Sequence, residues 1–277
     1  MPYLNGRRAE PNDEWEMEDG KWKMTQPSAL SLSKENISAI LLDIEGTTTP
    51  IAFVYDVLFP FARARAKNYL EGHFDSAAVQ KDLERLHQEH DADVAQNLNP
   101  PALITNSIEG AIDSVAAYLY WLMDRDRKST GLKSLQGKIW QHGYADGQLK
   151  SQVFADVPPA FERWHKAELN LSIFSSGSVL AQKLLFAHTE AGNLTKFLDR
   201  YFDTTSGPKA DAESYRRIAA ELHRAPAEAL FISDVVAELD AARLAGLKTL
   251  LCVRPGNHPQ TQTRTHKSIQ TFAEITG

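Results

Sequence analysis

The chain has 277 residues, 43% hydrophobic and 24% charged, with a formal net charge of -6. This is the composition of an ordinary globular protein, long enough for a buried core with a moderate insertion. The negative balance argues against a nucleic-acid partner, no stretch approaches a membrane span, and the amino terminus has no apolar signal core.

Residues 1–36 are polar and acidic (D-E-W-E-M-E-D-G) with no sustained period, so a mostly disordered tail is expected, with Met24 as an alternative start. Trp15 and Trp22 read either as scattered exposed aromatics or as anchors to a surface. The first regular element is expected within I-S-A-I-L-L-D-I-E-G-T-T-T-P-I-A-F, residues 37–53. A continuous apolar run closed by Gly46 and Pro50 suits a strand buried on both faces of a parallel sheet. Ligands of such sheets bind at the C-terminal strand ends. Side chains alternate along a strand, so Asp43 and Glu45 point the same way, one as nucleophile or metal ligand and the other as proton donor. Gly46 permits a tight turn whose amides approach an anion. A helix cap or a solvated turn explains the same residues about equally well, so the stretch is not decisive alone.

The pattern then turns helical for some ninety residues. V-L-F-P-F-A-R-A-R-A-K-N-Y-L, A-A-V-Q-K-D-L-E-R-L-H-Q-E-H, I-E-G-A-I-D-S-V-A-A-Y-L-Y-W-L-M and S-L-Q-G-K-I-W-Q-H-G-Y-A each carry apolar residues at helical spacing. Residues 59–149 are read as an inserted helical cap. His87 and His90, three apart on a polar face, are expected to be solvated.

Strand and helix signals alternate from residue 150 onward. F-A-D-V-P-P-A-F-E-R-W opens a helix, and N-L-S-I-F-S-S-G-S-V-L is a strand running into a Ser-Gly turn and a further helix. Ser175 and Ser176 fall where hydroxyls and helix N-terminal amides face an anion, beyond what one N-cap requires. A short strand near residues 201–203 precedes T-T-S-G-P-K-A-D-A-E-S-Y, where Lys209 alone reads as an ordinary solvated loop charge. A-L-F-I-S-D is another strand ending in an acid, Asp234, with Glu238 one helical turn on. K-T-L-L-C-V supplies the last strand and V-R-P-G-N ends the core. The single cysteine, Cys252, excludes an internal disulfide and reads as a small core residue, which points to a reducing compartment.

The repeated strand, acid, turn and helix predict an α/β fold with an open, doubly wound parallel sheet and the helical cap inserted in it. The expected division is a tail at 1–36, a core at 37–58 and 150–257, a cap at 59–149 and a C-terminal segment at 258–277. Asp43, Ser175, Lys209 and Asp234 then share one edge. Carboxylates converging on a crevice repel one another unless a divalent cation lies between them, and hard oxygen ligands suit Mg²⁺. A lysine and a serine beside it would bind phosphate oxygens, and a free carboxylate would be placed to attack phosphorus.

In this order Asp43-x-Glu45-Gly46-Thr47, Ser175-Ser176-Gly177, Gly207-Pro208-Lys209 and Ser233-Asp234-(x3)-Glu238 resemble the four motifs of the haloacid dehalogenase superfamily. D-I-E-G-T-T-T-P-I-A-F-V, L-Q-G-K-I-W, F-A-D-V-P-P-A, S-S-G-S-V-L-A-Q-K-L-L-F, K-A-D-A-E-S-Y and V-R-P-G-N resemble, within it, the enolase-phosphatase family of methionine salvage, over residues 37–257. The resemblance implies Asp43 as the nucleophile of an aspartyl-phosphate and as a ligand of one Mg²⁺ per chain. It implies Ser175, Ser176 and Lys209 on the phosphate, Asp234 on the metal, and Glu45 on the metal or as general acid. Most superfamily phosphatases have Asp where this chain has Glu45. Glu238 stands where Asp is common and would act through a water. The implied substrate is the small phosphorylated diketone 2,3-diketo-5-methylthiopentyl 1-phosphate, enolised and dephosphorylated to an acireductone by a monomer in the cytoplasm, with the nucleus as an additional location. Two other readings stand beside it. One is a Mg-dependent phosphatase of the same superfamily with a different substrate, and the other is a non-catalytic interaction module on that fold. A dehalogenase is disfavoured, because it has no use for a metal or for the Glu45 and Asp234 pair.

Overall fold

The computed structural model describes residues 14–18, 21–25, 30–127, 129–259 and 265–276. Its centre is a six-stranded, wholly parallel sheet built from β4 (Ala39–Leu42), β5 (Asn170–Phe174), β6 (Arg200–Phe202), β7 (Ala229–Ser233), β8 (Lys248–Cys252) and β9 (Lys267–Ile269). The spatial order is β6-β5-β4-β7-β8-β9, so the chain grows outward one way from β4 and then the other way from β7. The switch point therefore lies between β4 and β7, where an open α/β sheet forms its ligand crevice.

Period-two alternation divides the core. Ile40 and Leu42 of β4 pack with Ile173, Ile232 and Leu250 against α5 (Val157–Lys166) and α6 (Val179–Ala187). Ala39 and Leu41 pack with Phe174, Phe231 and Leu251 against α7 (Ala212–Glu221) and α8 (Val236–Leu244). Both faces are covered, which is why the central strands read as unbroken apolar runs. Four helices intervene between β4 and α5: α1 (Phe59–His73), α2 (Ala77–Ala95), α3 (Ile108–Met123) and α4 (Thr130–Ala145). A π-helical turn, Phe53–Leu58, leads into them, and Trp140 of α4 donates from Nε1 to the Leu58 carbonyl at 2.8 Å.

Three expectations from the sequence are revised. Stretch 1–36 is ordered in part: β1 (Glu14–Glu18) and β2 (Lys21–Thr25) form an antiparallel pair, and Leu32 is buried. β3 (Leu30–Ser31) pairs in parallel with β10 (Ile275–Thr276), joining the segment just before β4 to the C-terminal end of the described chain. The reading of Trp15 and Trp22 concerns side chains outside the described residues. The core does not stop at residue 257, because β9 is the sixth strand of the sheet and Phe272 is fully buried against Trp164. Nor is His90 solvated, since it packs against Tyr118 with its Nε2 2.9 Å from the Pro101 carbonyl. A two-residue strand and a strand beyond a polar loop have too few apolar positions to show a period.

Candidate active site

The strand ends assemble the site. Leu42 is level with Ile173 on one side and Ile232 on the other, so Asp43, Ser175 and Asp234 leave the sheet together. The Asp43 amide still bonds the Ile232 carbonyl at 3.0 Å, which fixes the base of its side chain. The chain then turns sharply. The amides of Thr47, Thr48 and Thr49 all bond the Ile44 carbonyl, and Thr48 Oγ1 donates to the Asp43 carbonyl at 3.1 Å. All three threonines are fully buried; the Thr48 hydroxyl ties the turn, and those of Thr47 and Thr49 have no hydrogen-bond partner among the described residues. Gly46 has φ +71°, and a Cβ there would overlap the Asp234 carboxylate. The glycine is thus required by backbone and by space.

Lys209 is held from below: Tyr215 donates to its carbonyl at 2.7 Å and Ser214 to that of Pro208 at 2.8 Å. Its Nζ lies 2.5 Å from Asp43 Oδ1 and 2.5 Å from Glu238 Oε2, with the lysine side chain 11% exposed. Burial would lower its pKa, but Asp43 and Glu238 outweigh that and raise it, so the ammonium is fixed in its charged form. Glu238 stands in the first turn of α8, where Ser233 Oγ donates to it at 3.0 Å. It therefore meets Lys209 directly.

Ser175 is buried, and its Oγ accepts from the Gly177 amide at 3.2 Å. The N-cap of α6 is Ser178, so Ser175 and Ser176 are not needed to cap it. Lys133 of α4 donates to the Ser176 carbonyl at 3.0 Å. A cavity of about 490 Å³ adjoins this edge, lined by Glu45, Ser175 and Ser176 and by the apolar Leu58, Phe59, Leu122, Met123, Leu132 and Trp140. Asp43, Lys209 and Asp234 do not line it. Tyr55, Asp126, Arg127 and Gln136 also face the cavity, and nothing in their spacing marks them in the sequence.

Charge is unbalanced here. Burial, followed by repulsion from Asp43, pushes both Glu45 and Asp234 up to about 7. Burial also raises Glu238, against the pull of Lys209. Lys209 thus faces Asp43, Glu45, Asp234 and Glu238, a surplus of hard oxygen donors that a divalent cation would relieve. Among the described residues no group of three histidine, cysteine or acidic side chains is arranged to hold a metal ion by itself. A Mg²⁺ ion draws only part of its shell from carboxylates and completes it with water and phosphate oxygens. Cys252 takes no part: burial pushes its thiol up to about 12.

The sheet order, the acids at the switch point and the buried lysine define a phosphoryl-transfer type of hydrolase site. A family model described as haloacid dehalogenase-like hydrolase matches residues 37–246, and the chain belongs to that class. An "Enolase-phosphatase E1" of Synechococcus elongatus is 54% identical over 224 residues, 80% of this chain and 91% of the relative. One of Drosophila melanogaster is 43% identical over 229 residues, 82% and 88% of the two chains. Within the class, the chain is a member of the enolase-phosphatase E1 family. The crystal structure of the Saccharomyces cerevisiae UTR4 protein superposes with a TM-score of 0.69 at 33% identity, over 85% of this chain and 98% of that one.

Proposed function

We propose that this protein is the enolase-phosphatase of methionine salvage, converting 2,3-diketo-5-methylthiopentyl 1-phosphate to 1,2-dihydroxy-3-keto-5-methylthiopentene and phosphate. The observation that carries it is Lys209, buried between Asp43 and Glu238 at 2.5 Å each, on the strand edge that bears Ser175. One Asp43 oxygen is tied to the ammonium, which leaves the other to attack phosphorus. The phosphorus–oxygen bond to the substrate breaks, the leaving enol oxygen takes a proton, and water then releases phosphate from Asp43. Lys209, Ser175 and Ser176 hold the phosphoryl oxygens. Asp43, Glu45 and Asp234 would hold one Mg²⁺, which when bound neutralises phosphate charge and polarises an adjacent oxygen.

Enolisation precedes this step. A proton leaves the carbon that bears the phosphate, and the neighbouring carbonyl becomes the enol. Glu45, in the lining of the cavity with its carboxyl near 7, is the candidate base. The apolar residues of the lining suit the methylthio chain, and α1–α4 act as the cap that closes over it. The same reading makes the protein a monomer working in the cytoplasm.

The test is to supply the diketone phosphate with Mg²⁺ and follow enol absorbance and free phosphate together. Both signals should rise, the enol first. Phosphate release from unrelated monoesters with no turnover of the diketone would instead support a phosphatase of different specificity.

A further inference from the structure

We propose that Asn257, in the turn after β8, is a positioning residue that fixes the nucleophile loop against Asp234. Its carboxamide uses both hydrogens of Nδ2, donating to the Gly46 carbonyl at 2.9 Å and to the Cys252 carbonyl at 3.2 Å. One side chain therefore joins the end of β8 to the turn after β4. Its Oδ1 lies close to Gly46 as well: a Cβ there would meet Asn257 Oδ1 at 2.9 Å, beside the Asp234 carboxylate. The space a side chain would need at Gly46 is thus already filled by Asp234 at the end of β7 and by Asn257 in the turn after β8.

The turn that carries Asn257 is itself anchored. Its amide bonds the Arg254 carbonyl at 3.2 Å, and Arg254, buried, donates from Nε to the Thr47 carbonyl at 3.2 Å. Arg254 Nη1 reaches Asp156 Oδ2 at 2.8 Å and the Gln270 carbonyl at 2.9 Å. Two consecutive carbonyls of the loop, Gly46 and Thr47, are therefore each taken by a side chain of one turn. A carbonyl fixed at both ends of a peptide unit leaves little freedom to the preceding residues, Asp43 and Glu45. Asn257 acts through that backbone and is not itself a catalytic residue. Misplacement of a reacting group by about 1 Å costs on the order of 100-fold in rate, which is the scale on which such an anchor matters.

The inference rests on the reading of Asp43 as nucleophile, and the experiment separates the two. Asn257→Ala and the isosteric Asn257→Asp, which cannot donate to either carbonyl, are compared with the parent protein for kcat and KM on the diketone phosphate. Amide hydrogen exchange of residues 44–49 is followed in the same samples. The expected result is a fall in kcat of about 10- to 100-fold with KM within about 2-fold, and faster exchange in the loop while β4 and β7 stay protected. Unchanged kcat in folded variants would overturn the inference, and so would a change confined to KM or loop exchange equal to that of the parent. A parent protein inactive on the diketone phosphate would reject the functional reading alone, because loop exchange still tests the anchor. If Asn257→Ala does not fold, Asn257→Asp keeps the shape and carries the comparison.

Discussion

At the scale of single residues the site is a problem of charge. In the proposed mechanism Asp43→Asn would keep an oxygen toward the metal and Lys209 but remove the attacking carboxylate. Phosphate release should then fall below detection while conversion to the enol phosphate persists at a reduced rate, measured by the two signals in parallel. Loss of both reactions in a folded, metal-loaded variant would refute separable half-reactions. The raised carboxyls make a second prediction. Glu45 and Asp234 titrate near 7 in the fold, against 4.5 and 3.8 as ordinary side chains. Between those values the folded state binds more protons than the unfolded one, so stability of the metal-free protein falls as pH rises from about 4 to 7. Below that window both states are protonated and the two groups contribute nothing. Added Mg²⁺ should flatten the fall in Tm between pH 5 and 8, and identical pH profiles with and without Mg²⁺ would contradict the cation site.

At the scale of elements the loops are held by side chains far away in sequence. Asp156, just before α5, accepts from Arg254, Thr271 and the Phe272 amide, so one carboxylate ties α5, the turn after β8 and the C-terminal segment together. Arg254 also lies 4.6 Å over the Phe154 ring and 4.7 Å from that of Phe272. Removing one partner of a buried pair leaves the other uncompensated, so Arg254→Ala should destabilise by about 3–5 kcal/mol in urea unfolding. Arg254→Lys should recover little of this, because an ammonium cannot reach three acceptors in a plane. A loss below about 1 kcal/mol would show that the pair is structurally idle.

For the whole molecule the two ends of the described chain behave differently. β1 and β2 form a sheet of their own, separate from the central one, and an isolated hairpin is marginal in water. Deleting residues 1–25 should leave turnover and Tm nearly unchanged. Deleting 1–33 removes β3 and the buried Leu32 as well, and loss of such a core leucine alone costs about 2–5 kcal/mol. Removing residues 265–277 strips β9 and Phe272 and should abolish cooperative unfolding. Thermal melts of the three truncations test the order, and equal stability of the 1–25 and 1–33 deletions would show that the β3–β10 pair holds nothing.

The sequence by itself determined the central strands of the sheet and the helices between them, but not β9, and led to the expectation that Asp43, Ser175, Lys209 and Asp234 share one edge. Strands buried on both faces read as apolar runs, and each ends in the residue that enters the crevice, so local pattern carries that information. Only the tertiary structure decided that Lys209 sits between Asp43 and Glu238, that the threonines of the turn face inward, and that Tyr55, Asp126 and Arg127 reach the cavity. It also decided that Arg254 and Asn257 of the V-R-P-G-N turn bond the carbonyls of Thr47 and Gly46 in the turn after β4, 207 and 211 residues away. Such contacts form between segments that leave no mark on each other's periodicity. They are specified by packing and by the need to satisfy buried polar groups once the sheet has brought its strand ends together.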